Sequence, residues 1–175
     1  VQAWLLLHYK VAREPSAHRV YVWRKLKRLG AVLLHDAIWV LPDTPRTREQ
    51  FQWLAAEVVE LEGEALVWQA QLLPAGQQEE NLIKQFNAQV EAGYQEILVE
   101  LAQFERASQI SNAGEAAAVM ATDNKPDLKG LSRRYQQLYQ QDYFHSVLGQ
   151  KVREGLEAAS RNLASEKPER REEKR

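Results

Sequence analysis

The sequence predicts an α+β protein whose elements run β-α-β-β-α-β over residues 1–75, with a helical extension following over 76–165. Two observations carry this. As far as residue 73, short apolar runs of strand length alternate with segments whose apolar residues recur every three or four positions, and Gly or Pro closes most of them. Beyond residue 76 only the helical period remains.

The first element, AWLLLHYKV (3–11), is short, apolar and bounded by Arg13, Glu14 and Pro15, which predicts a buried strand. Ser16 stands where a helix N-cap belongs, since its hydroxyl accepts from the free amides of a first turn. Along that helix Val22, Trp23, Leu26 and Leu29 are read as one inward stripe, at about 100° per residue. Gly30 then supplies the left-handed backbone of a C-cap. AVLL (31–34) and AIWVL (37–41) read as two strands joined tightly through His35 and Asp36, with Pro42 ending the second. Thr44 or Thr47 caps the next helix, the latter with Gln50 in the capping-box position. Phe51, Leu54, Val58 and Leu61 form its inward stripe and Gly63 ends it. In ALVWQAQLL (65–73) apolar and polar positions alternate, so a strand with one wetter face follows. Two helices covering one face of an antiparallel four-stranded sheet make the ferredoxin-like plan. Trp39 and Trp68 are expected to cover the opposite face.

In the extension Ile83, Phe86, Val90, Tyr94, Ile97, Leu101 and Phe104 recur at steps of three or four, as in a helix packed along others, and Gly93 interrupts the seam. Intramolecular packing is favoured for most of this seam, and dimerisation is the alternative. Residues 107–127 lose the period and collect small and turn-forming residues, predicting a mobile connection. Leu128, Leu131, Tyr135 and Leu138 restart a helix. QDYFHS (141–146) breaks its phase, predicting a kink or turn, and Phe144, Leu148, Val152, Leu156, Ala159 and Leu163 resume it. EKPERREEKR (166–175) reads as a solvated, frayed charged tail.

The 45% hydrophobic and 27% charged fractions exclude disorder throughout. A net charge of −1 gives no global pull towards nucleic acid or membrane, so any polyanion site is a local patch. One exists: residues 13–30 hold six Lys/Arg against one Glu, whereas 76–126 hold three against eight Asp/Glu. Absence of Cys removes disulfides, thiolate metal sites and thiol redox chemistry. No apolar run approaches the roughly 18 residues of a membrane span, and a cytoplasmic protein without a membrane partner is the expectation.

Taken together, WLLLHYKV, EPSAHRVYVWRKLKRLGA, LLHDAIWVLP and REQFQWLAAEVVELEGEALV resemble the N-terminal domain family of the chromate-resistance protein ChrB. FNAQVEAGYQEIL and LSRRYQQLYQQDYF are similar to the later half of that domain. The resemblance implies a non-enzymatic regulator of transcription in the chromate stress response, associated with chromate-efflux operons and acting through DNA, a second copy or a regulator partner, with no cofactor. It also implies a ferredoxin-like domain similar to those of phenylacetate-pathway repressors and small CRISPR-associated nucleases. Family members carry a second, C-terminal chromate-resistance domain, and here a charged tail stands where it would begin.

The outward side of the first helix carries Tyr21, Arg24, Lys25, Lys27 and Arg28, with His18 and Arg19 near its start. Arg19, Arg24, Lys25, Lys27 and Arg28 are the candidate nucleic-acid contacts, because each cation that neutralises a phosphate releases a condensed counterion. The plainer reading is a solvated helix face whose last cations complement the helix dipole. A protein-interaction or dimerisation module without DNA affinity is the second functional class. Metal-dependent nuclease chemistry is the third, and it needs carboxylates to hold a hard cation. The resemblance to small CRISPR-associated nucleases implies such a carboxylate at the end of the first strand, which here reads His8, Tyr9, Lys10, and Asp36 alone on its turn has the chemistry of a turn former. His8, His18, His35 and His145 lack metal-ligand spacing, and no Ser sits in a nucleophile-elbow context, so no catalytic or metal residue is assigned. Chromate is a tetrahedral dianion that Arg, Lys, His or backbone amides would have to hold. Arg13, Arg19, Arg133 and Arg134 have that chemistry, and no spacing selects them.

Overall fold

The computed structural model describes residues 2–36, 38–73, 76–111 and 127–172. The elements are β1 (Ala3–Lys10), α1 (Ser16–Leu29), β2 (Val32–His35), β3 (Ile38–Pro42), α2 (Pro45–Glu60), β4 (Glu64–Gln71), α3 (Gln77–Ser111), α4 (Leu128–Tyr139) and α5 (Val147–Glu172). The protein is α+β, with one four-stranded antiparallel sheet in the order β2-β3-β1-β4. Two compact units, residues 1–89 and 90–175, divide the chain within α3.

In the first unit β1 pairs with β3 along one edge and with β4 along the other. Leu5 and Leu7 are buried, as are their partners Leu41 and Trp39 on β3. Residues directly opposite in a ladder share a face and neighbours along a strand alternate. Trp39 is opposite Leu7 and Trp68 is opposite Leu6, so the two tryptophans lie on opposite faces, contrary to the sequence reading. Trp39 is buried and Trp68 is 54% exposed. On the other face from Leu5, Trp4 stacks on Phe86 of α3 with ring centroids 5.8 Å apart. A register shift between Leu33 and His35 interrupts the β2 ladder, and Asp36 turns the chain at φ 32°, the turn-forming role its residue type predicts.

Helix α2 starts at the first of its two candidate caps, Thr44, and Thr47 rather than Gln50 completes the capping box. The Thr44 hydroxyl accepts from the Thr47 amide at 3.1 Å and Thr47 Oγ1 accepts from the Thr44 amide at 3.0 Å, with Pro45 in the first turn. Before it, the Asp43 carboxylate accepts from the Arg48 guanidinium and from Gln69 of β4, and Arg48 holds it below the usual carboxylate range. Two other ends differ from expectation. Ser16 is already helical, Pro15 occupies the N-cap, and no side chain caps α1. At the end of α2 the left-handed residue is Glu62, at φ 59°. Gly63 answers a different need, since a Cβ there would sit 2.6 Å from the Lys10 carbonyl oxygen.

In the second unit Val90, Tyr94, Ile97 and Leu101 of α3 form one core with Leu131 and Tyr135 of α4 and Val152, Leu156 and Ala159 of α5. The intramolecular reading of the seam therefore holds for these positions. Gly93 lets Leu138 approach the α3 backbone, where a Cβ would lie 2.8 Å from it. The phase break is a turn between α4 and α5, passing through His145 at φ 54°. Buried Asp142 anchors that turn, accepting from the Ser146 amide at 2.9 and 3.1 Å and from the Tyr94 hydroxyl at 3.2 Å. Burial, reinforced by this carboxylate, raises the Tyr94 hydroxyl well above its ordinary range. Backbone helicity runs to Ser111 and to Glu172, beyond the last periodic apolar residues. The remainder of the expected connection, 112–126, and the last three residues lie outside the described residues.

Gly63→Ala should destabilise the protein by about 1–3 kcal/mol, because the new methyl meets backbone. Urea denaturation measures this, and an unchanged midpoint would contradict it. Asp142→Ala strands the Tyr94 hydroxyl and the Ser146 amide, at about 1–3 kcal/mol for each buried group left unpaired. Thermal melting should show a far larger loss than for Lys25→Ala, which breaks only a partly exposed ion pair worth about 0–1 kcal/mol.

Candidate nucleic-acid interface

Helix α1, SAHRVYVWRKLKRL, contains no acidic residue. Val22 and Leu26 are fully buried and Leu29 half-buried, which sets its inward arc. Gly30 closes the helix at φ 71°, its amide bonded to the carbonyls of Leu26 and Lys27, and Lys27 and Arg28 sit favourably at the negative end of the dipole. Trp23 does not belong to the inward stripe. It is rotated about 100° from Val22, beyond the edge of the arc, and its side chain is 50% exposed.

The five predicted cations have different fates. Arg19, Arg24, Lys27 and Arg28 are exposed. Among the described residues no carboxylate pairs with Arg19, Arg24 or Lys27, whereas Arg28 is engaged within the protein. Lys25 is committed to α2: its Nζ lies 2.7 Å from Glu57 Oε1 and 5.1 Å from the centre of the Tyr21 ring. The Tyr21 hydroxyl donates to the same carboxylate at 3.3 Å. The hydrogen bond to Glu57 is the main cause that raises the Lys25 ammonium above its ordinary value. Lys25 thus braces α1 on α2, while Arg19, Arg24 and Lys27 face outward.

Residues four apart stack along a helix, so Arg19, Trp23 and Lys27 form one ridge and Val20, Arg24 and Arg28 the next. Beside the first ridge lies a hollow of about 300 Å³ lined by Tyr9, Ser16, Arg19, Val20 and Trp23. Burial raises the Tyr9 hydroxyl, against the effect of a hydrogen bond with Trp39. Trp23 and Tyr9, which line this hollow, are the candidate residues that reading by residue type missed. The available signal was that Trp23 lies off the arc set by Val22, Leu26 and Leu29.

Elsewhere, Arg134 is held by Glu96 and Glu100 and so is no open anion ligand. A hollow of about 640 Å³ between α4 and α5 is lined by Tyr135, Tyr139, Arg153 and Arg161 among others, with Glu157 on its wall 3.8 Å from Arg153. Among the described residues no three His, Asp or Glu gather as metal ligands, and no helix is long and apolar enough to cross a membrane.

The first unit is thus an α+β sheet unit with a cationic helix face, and a helical unit follows it in sequence. Residues 19–168 match the family Protein ChrB, N-terminal, and the chain belongs to that family. Over 78 residues it is 36% identical to Protein ChrB of Cupriavidus metallidurans. That stretch is 45% of this chain and 24% of the relative, so the match spans about a quarter of the relative's length. No solved structure matches.

The two sides of α1 should respond differently to truncation. Leu26→Ala, at a fully buried position, should cost about 2–5 kcal/mol. Trp23→Ala should cost well under that, because half of the indole is already in water. Equal losses in chemical denaturation would contradict the exposed placement of Trp23.

Proposed function

We propose that this chain is the regulatory part of a chromate-resistance protein and that it acts on DNA through the outward face of α1. The carrying observation is the exposed set Arg19, Arg24 and Lys27, three cations that no carboxylate pairs with among the described residues, on a helix whose own sequence has no acid. Phosphate contact needs cations not already neutralised by the protein. Membership of the ChrB N-terminal family supports the link to chromate resistance. The strand order β2-β3-β1-β4 supports reading the first unit as ferredoxin-like.

The chain is read as cytoplasmic and non-enzymatic. At the end of β1, where the resemblance to small CRISPR-associated nucleases implies a metal-binding carboxylate, stand His8, Tyr9 and Lys10. An interaction or dimerisation module is the second reading, favoured by Leu66 and Trp68 of β4, each more than half exposed.

Fluorescence anisotropy with labelled promoter DNA across a salt series tests the first reading. Arg24→Ala and Lys27→Ala should each flatten the log-log salt dependence by roughly one unit while changing sequence preference little. Lys25→Ala should flatten it less, since Glu57 already neutralises that charge. Absence of salt-sensitive binding at micromolar protein would overturn the reading in favour of the interaction module. With magnesium or manganese present, RNA and duplex DNA should remain intact. Cleavage that disappears in Asp36→Ala would overturn the non-enzymatic reading.

A further inference from the structure

We infer that the Arg19, Trp23, Lys27 ridge is a stacking site for an unpaired base, so that single-stranded nucleic acid is the preferred ligand of this helix face. The inference rests on the nucleic-acid reading above and narrows it. Trp23 is 50% exposed while Val22, its neighbour in sequence, is fully buried. On the same ridge Arg19 and Lys27 come four residues before and after Trp23, a backbone rise of roughly 6 Å to either side. A surface of this kind offers a half-exposed indole bracketed in sequence by two cations.

A duplex cannot use that combination. It keeps base faces inside its stack and presents phosphates and base edges, which the cations would meet but the indole would not. An acidic peptide would likewise satisfy the charges alone. An unpaired nucleotide presents a free π-face next to its phosphates, and aromatic platforms between cations bind it with little regard to sequence. The adjoining hollow of about 300 Å³ has Tyr9 and Val20 as further walls and Ser16 and Arg19 as its polar groups, so a base lying on Trp23 would be flanked by protein. Single-stranded DNA and RNA share this chemistry.

The test is fluorescence anisotropy at one salt concentration with labelled oligo-dT, oligo-U and a DNA duplex of equal length, using the full chain. At least one single strand should bind about ten-fold tighter than the duplex. Trp23→Ala should weaken single-strand binding at least about five-fold, the lower end of a lost base stack, and leave duplex binding within about two-fold. Trp23→Phe, which keeps a flat ring, should retain most of the affinity. Circular dichroism and thermal melting establish that the variants fold. Equal binding of strand and duplex, untouched by Trp23→Ala, would overturn this inference and leave the nucleic-acid reading standing. Binding to none of the three would overturn both.

Discussion

The first unit depends on β1 being covered on both edges and, through its first half, on both faces. Its amides and carbonyls are paired to β3 and β4, and Trp4, Leu5 and Leu7 are all buried. A strand filled on both sides loses the polar alternation of an exposed sheet, which is why its start reads as the unbroken run AWLLL. The two faces have different occupants. Leu7 shares its face with Tyr9, which lines a hollow with residues of α1, whereas Trp4 meets Phe86 at the start of α3. The early turns of α3 accordingly belong to the sheet unit and the later ones to the helical unit.

Around that strand, polar contacts fix the helix that lies beside α1. Asp43, Thr44 and Thr47 settle where α2 begins, and Glu57 reaches from α2 to Lys25 and Tyr21. The ion pair is partly exposed, so its contribution to stability is small. Its larger effect is on charge, since it neutralises one of the five cations that α1 would otherwise present. What faces solvent is a selected subset of the basic run.

Much of the fold was legible because it rests on period and punctuation. The alternation of strand and helix signals, the start at Thr44, one of two candidate caps, and the Gly30 stop are local facts, and the structure keeps them. Misreadings arose where the deciding neighbour is distant in sequence. The opposite placement of Trp39 and Trp68 follows from ladders running through β1, which no single strand's pattern reveals. Gly63 is required by the Lys10 carbonyl rather than by its own torsion. Helix α3 runs to Ser111, past the last apolar residue of its seam, because a helix continues by backbone hydrogen bonds that leave no hydrophobic period in the sequence. In the candidate site the cations were legible as residue types. The commitment of Lys25 to a residue 32 positions away, and the exposure of Trp23, required the folded chain.

Helix α1 keeps its buried residues, Val22 and Leu26, on one arc and Arg19, Trp23, Arg24 and Lys27 on another. The two sets are therefore physically separable: a substitution on the outer arc alters the charge and shape the helix presents to solvent and leaves the buried contacts of Val22 and Leu26 in place. Surface chemistry on such a helix is adjustable at little cost to the stability of the sheet unit beneath it.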